Sequence, residues 1–97
     1  MTGSCIVVVT VSNHPGAMSH VTGLFSRRAF NLEGILCAPI GDGSQSRMYL
    51  LVNSDDRLDQ ILKQVKKLYD VQSVNLCENC DTSVFKRLHE LVGYPAE

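Results

Sequence analysis

Asn13-His14-Pro15-Gly16-Ala17-Met18 separates two segments of different periodicity, and the change across it decides the fold. Ahead of it, Cys5-Ile6-Val7-Val8-Val9-Thr10-Val11 is short, β-branched and free of Gly and Pro, the pattern of a buried strand. Behind it, Met18, Val21, Leu24, Phe25 and Ala29 recur at helical spacing, which predicts a helix over Ala17 to Ala29. A strand that turns through Pro-Gly into a helix start leaves backbone N–H groups unpaired. Such a nest favours an anion, for example the carboxylate of a small molecule.

Working outward, Asn31 to Pro39 reads as a second strand that Pro39 ends. Gly41-Asp42-Gly43-Ser44 supplies turn chemistry for a hairpin into a third strand, Arg47 to Asn53. Ser54-Asp55-Asp56 offers N-cap oxygens and acidic charge to a second helix. Leu58, Ile61, Leu62, Val65, Leu68 and Tyr69 form its apolar stripe, and Lys63, Lys66 and Lys67 lie near its negative end. A fourth strand follows over Val71 to Cys77. With right-handed crossovers, this βαββαβ order predicts an α+β, ferredoxin-like sandwich. Its four-stranded antiparallel sheet has the order 4-1-3-2 and carries both helices on one face. Strand two lies at an open edge, which invites pairing with another chain, so a homodimer through that strand is expected. Asp81-Thr82 is placed to cap a short tail helix with Val84, Phe85, Leu88, Leu91 and Val92 on one face. That face either folds back on its own sheet or docks on a partner.

The composition narrows the function. Ninety-seven residues make one domain with a modest core, and nine basic against ten acidic side chains give a net charge of −1. A nucleic-acid surface would show a strongly basic face, and the sequence has none. No apolar run reaches the length of a membrane span, and no charged-then-apolar leader opens the chain, so a soluble cytoplasmic protein is expected. An RNA-binding module of this strand order needs aromatic platforms on strands one and three. Strand one has none, and strand three has only Tyr49. A heavy-metal chaperone of this fold would carry cysteines in the first loop, where this chain has none. No spacing demands a convergent acid, base or nucleophile, so no catalytic residue is expected.

The four cysteines are expected to stay reduced in the absence of a secretory signal. Cys77-Glu78-Asn79-Cys80 has redox or zinc spacing, but Glu78 and Asp81 surround it with negative charge that disfavours a reactive thiolate. Strand four runs antiparallel to strand one, which places Cys77 near Cys5 and, with His89, leaves a zinc site as the competing reading. The expectation is no metal.

The run Asn13-His14-Pro15-Gly16, then Gly23-Leu24-Phe25-Ser26-Arg27-Arg28-Ala29-Phe30-Asn31-Leu32-Glu33-Gly34-Ile35, resembles the small regulatory subunits of acetolactate synthase, in particular those of the isozyme I type. These belong to the ACT-domain superfamily of amino-acid-binding modules. The resemblance continues through Ser46-Arg47-Met48, Leu51-Val52-Asn53 and the second helix to Asp70-Val71, covering residues 5 to 76. It implies an ACT domain at 1–78 and a tail at 79–97. It also implies a non-catalytic subunit that activates a catalytic subunit and makes it subject to feedback inhibition by valine. Thiamine diphosphate, Mg²⁺ and FAD would belong to that catalytic partner, with no cofactor in this chain. The alternative is a stand-alone ACT-type sensor that regulates a different enzyme.

An amino-acid ligand needs a carboxylate site, an ammonium site and a side-chain pocket. Backbone N–H groups at Gly16, Ala17 and Met18 suit the carboxylate, and Gly16 lets the ligand approach closely. Asn13 can accept from the ammonium or donate to the carboxylate. His14 and Pro15 complete the loop, and His14 reads equally as a solvated loop side chain. The resemblance implies a site shared between two copies. Asn31, Leu32, Gly34 and Ile35 of one chain would face the first loop of the other, with Ile35 walling the side-chain pocket. Each residue also has a plainer use: Asn13 as a turn residue, Gly16 as the turn itself, Asn31 as a strand start.

Overall fold

The computed structural model describes residues 3–95. The first apolar run forms β1 (Ser4–Ser12), in which Cys5, Val7, Val9 and Val11 are buried on one face. It is followed by α1 (Ala17–Arg27), β2 (Gly34–Ile40), β3 (Gln45–Asn53), α2 (Leu58–Lys66) and β4 (Val71–Cys77). The sheet order is β2-β3-β1-β4, the expected 4-1-3-2 read from the other edge, and every pairing is antiparallel. Val7, Val9, Met48, Leu50 and Val52 meet Val21, Phe25, Ile61 and Val65 from the helices in one core. The period of two along the strands and 3.6 along the helices places these residues on facing surfaces. This is the ferredoxin-like sandwich that the element order predicts.

Several boundaries differ from the sequence reading. Helix α1 ends at Arg27, two residues early, in a Schellman motif: Phe30 N–H donates to Phe25 O at 2.9 Å and Ala29 N–H to Ser26 O at 3.0 Å. Ala29 takes the left-handed position there, with φ 55°. Phe30 then turns inward to stack edge-on against Phe25 at 5.8 Å, with the Arg57 guanidinium 5.2 Å above its ring. Asn31 therefore lies in a loop rather than in β2, and its Nδ2 donates to Glu33 Oε2 at 2.6 Å. Pro39 does not end β2, because an edge strand tolerates a missing N–H.

Helix α2 has no side-chain cap. Asp55 instead accepts from Arg57 N–H at 2.7 Å and pairs with its guanidinium. Tyr69 leaves the apolar stripe and is 98% exposed, because the helix has already ended at Lys66.

The tail is two pieces. Asp81 accepts from Ser83 N–H at 2.9 Å and caps a 3-10 turn (Thr82–Lys86), and α3 (Leu88–Val92) follows across a break at Arg87. Phe85 folds back onto β2 so closely that a Cβ on Gly34 would collide with its ring. Ile6 and Leu51 lie beside Gly34 in register and are buried although they face away from α1 and α2. Leu91, Val92 and Tyr94 remain exposed. The outermost positions of the 1–78 and 79–97 division, 1–2 and 96–97, lie outside the described residues.

The cysteine expectations are corrected. Cys77 and Cys80 form a disulfide, with Cα atoms 5.6 Å apart, so this pair is not reduced. Cys77 pairs with Ile6, one residue away from Cys5, and alternation along β1 then sends Cys5 and Cys77 to opposite faces of the sheet. That parity separates the ligands of the zinc reading, and no cluster suited to a metal occurs among the described residues.

Candidate ligand site at the first loop

The loop after β1 is held from three sides. Asn13 N–H donates to Ser44 O at 3.0 Å, and its Nδ2 donates to Gly43 O at 2.7 Å, which ties the loop to the β2–β3 hairpin. Asn13 Oδ1 has no partner among the described residues. Gly16 stands at the helix N-cap with φ 93° and ψ −18°, a conformation that costs an L side chain roughly 1–2 kcal/mol. Its carbonyl receives His20 N–H at 2.9 Å. No side chain caps α1. Ala17 N–H is spent on His14 O at 3.2 Å, so Met18 and Ser19 present the orphan donors of this helix start.

The third tether is ionic. His14 Nδ1 lies 2.8 Å from Pro15 O, and its Nε2 lies 2.5 Å from Asp70 Oδ1. His20, one turn into α1, places Nδ1 2.5 Å from Asp70 Oδ2. The Asp70 side chain is only 3% exposed, at the turn where α2 gives way to β4. Both His14 nitrogens face acceptors, so the ring is held as a double donor. The Pro15 carbonyl first, and Asp70 second, raise its pKa above the ordinary value. The hydrogen bonds from His20 and then His14 hold the Asp70 carboxyl below its ordinary range, against the opposing effect of burial.

Asn13, His14, Ala17 and Met18 line a cleft of about 60 Å³ closed on the far side by Cys37 and Ser46. That holds about two waters, less than the roughly 300 Å³ at which ligand pockets begin. A larger hollow of about 300 Å³ lies near Cys5 and Leu58, but Asp55, Asp56, Asp59 and Glu78 line it and would repel a carboxylate.

The second group of expected site residues stands elsewhere. Gly34 pairs with Leu51 and Gln45 with Ser12, so Gly34 lies six residues along β3 from the first loop, roughly 20 Å at strand rise. Asn31 is bound to Glu33, Leu32 packs against the core, Gly34 lies under Phe85 and Ile35 is 42% exposed. One chain does not bring the two groups together.

The family model described as "AHAS small subunit-like ACT domain" matches residues 7–73, which run from within β1 into the start of β4 and include both helices and this loop. The chain belongs to the acetolactate synthase small-subunit family of ACT domains. It is 52% identical over 83 residues to the acetolactate synthase isozyme 1 small subunit of Escherichia coli (strain K12), covering 86% of this chain and 85% of that protein. It is 48% identical over 75 residues to the acetolactate synthase small subunit of Haemophilus influenzae, covering 75% of this chain but 46% of that one. Among solved structures it matches the acetolactate synthase small subunit of Thermotoga maritima with TM-score 0.68 and 36% identity, over 76% of this chain and 47% of that chain. The chain thus spans about half the length of these last two relatives. The ACT domain of a GTP pyrophosphokinase from Chlorobium tepidum shares the fold, with TM-score 0.67 at 16% identity.

Within this small-subunit domain, the sequence reading missed His20, Asp70, Cys37 and Ser46. Asp70 carried one usable signal. An acid that opens β4 must lie beside the end of β1, and Ser12 N–H indeed donates to Asp70 O at 2.9 Å. Cys37 and Ser46 come to the loop through the β2–β3 register, which hydropathy alone does not place.

Proposed function

We propose that this chain is a regulatory subunit without an active site of its own, which binds an acetolactate synthase catalytic subunit, raises its activity and confers feedback inhibition by valine. The observation that carries the ligand reading is the uncapped start of α1, with orphan donors at Met18 and Ser19 beside a cleft too small to be complete. The open edge of β2 supplies the means to complete it. In a homodimer paired antiparallel through β2, Asn31, Leu32, Gly34 and Ile35 of one copy run beside Asn13–Met18 of the other. The helix start takes the carboxylate of valine, Asn13 Oδ1 and strand carbonyls take its ammonium, and Ile35 walls its side chain. Thiamine diphosphate, Mg²⁺ and FAD belong to the catalytic partner, and the complex works in the cytoplasm.

Inhibition then follows from linkage. Valine shifts the complex only if it binds the inhibited state more tightly than the active one, and a ligand that spans two protomers does so by favouring one dimer arrangement. The test is calorimetric titration with valine, leucine, isoleucine and threonine, on this chain alone and on its complex with the catalytic subunit. Saturable binding that favours valine, near one ligand per chain, supports the reading. Failure to bind in both settings, or failure to co-purify with a thiamine-dependent catalytic subunit, overturns it.

A further inference from the structure

We propose that Asp70 is a positioning residue for the first loop, and that with His14 and His20 it makes ligand binding there proton-dependent. The inference rests on the amino-acid reading above but goes beyond it, because it assigns the site a regulator: the proton.

The geometry is specific. A carboxylate 3% exposed is hydrogen-bonded through one oxygen to His14 in the loop and through the other to His20 in α1. The single group at the head of β4 thus grips both sides of Gly16, the hinge between loop and helix. The charged or titratable side chains facing this carboxylate are His14 from the loop and His20 from α1; Asp70 itself stands in the turn just ahead of β4, and no Lys or Arg bonds to it among the described residues. Ser12 and Gln72 beside it are neutral and bonded to one another at 3.0 Å.

Two consequences follow. With both rings protonated, the cluster carries a net positive charge against the cleft that His14 lines. With both rings neutral, it carries the bare carboxylate. A ligand carboxylate at the start of α1 is therefore attracted in the first state and repelled in the second. Loss of the protons also removes one of the two donors that hold His14, so the loop loosens as the site turns negative. Valine keeps both its charges across this range, so the pH dependence would belong to the protein.

The test has two arms. In the first, NMR titration of the histidine rings in ligand-free protein compares the wild type with Asp70→Asn, which keeps the shape of the side chain but removes its charge and turns one of its two acceptor oxygens into a donor. At least one ring in the wild type is expected to titrate above the ordinary value and to fall back in the variant. Unshifted rings in the wild type overturn the proposal whatever the ligand does. If Asp70→Asn loses its cooperative melt, His20→Asn serves instead. It leaves Asp70 to His14 alone, and the His14 titration should then move upward; no movement overturns the proposal.

In the second arm, valine titrations at about pH 6 and pH 8 bracket the switch. Wild-type affinity is expected to fall roughly fivefold or more across that interval, and the variant to show a flat profile. A flat wild-type profile overturns the proposal but leaves valine binding intact. No binding at either pH, by the chain alone or in its complex with the catalytic subunit, overturns the ligand reading, and this inference with it, whereas shifted rings in the first arm would show that the cluster itself stands.

Discussion

Gly16 is the residue on which the loop turns. Its positive φ would be strained for most side chains, yet open space surrounds the position where a Cβ would stand. Asp is among the residues that tolerate the left-handed region, so Gly16→Asp should fold with a loss of roughly 1 kcal/mol. Its carboxylate would lie where the carboxylate of valine is proposed to bind. The expected outcome is valine resistance in the reconstituted holoenzyme with catalytic activity retained, and full valine sensitivity would show that the site lies elsewhere. Asp70 and His14 give a second prediction, on stability. The folded-state pKa of Asp70 is lowered, so its contribution is present above the ordinary carboxyl value of 3.8 and is lost as pH falls through the folded value. That of His14 is raised, so its contribution is full below the ordinary imidazole value of 6.5 and is lost as pH rises through the folded value. The melting temperature should therefore peak between these two values. Asp70→Asn should flatten the profile, which thermal melts across the range would check.

Among the elements, α1 shows how a tertiary contact sets a boundary. Apolar spacing continues to Ala29, but the chain needs Phe30 turned back onto Phe25 and under Arg57, so the helix stops at Arg27 in a Schellman turn. The residue forced into the left-handed conformation is Ala29 rather than the usual glycine. Ala29→Gly relieves that strain but adds freedom to the unfolded chain, and the net gain should be up to about 1 kcal/mol. A rise in the urea midpoint without a change of slope would confirm it, and a fall would mean that the methyl group contributes packing. The tail follows the same logic at β2. Phe85 seats where Gly34 leaves room, so one glycine that the sequence reading assigned to the ligand site has a demonstrated packing role.

At the level of the whole molecule, the sheet presents β2 as an open edge at one side and β4 at the other. The two groups of expected site residues lie at opposite ends of β3, so the proposed site exists only if a second copy supplies the missing half. Sedimentation at micromolar concentration should return twice the chain mass of 10.7 kDa, with valine favouring the larger species. A single species at the chain mass, unmoved by valine, would remove the shared site and force the ligand into a different pocket.

Strand and helix order were legible from the chain because hydropathy periods of two and 3.6 are local properties, and a βαββαβ order with right-handed crossovers leaves few sheets to choose from. The loop at Asn13–Met18 was legible for the same reason, since a Pro-Gly turn between the two periods marks a helix start. The union of His14 and His20 with Asp70 was not, because a side-chain contact spanning 56 residues depends on where β4 comes to rest beside β1. Nor was the separation of Cys5 from Cys77, which turns on a single residue of register: alternation converts that one step into opposite faces of the sheet.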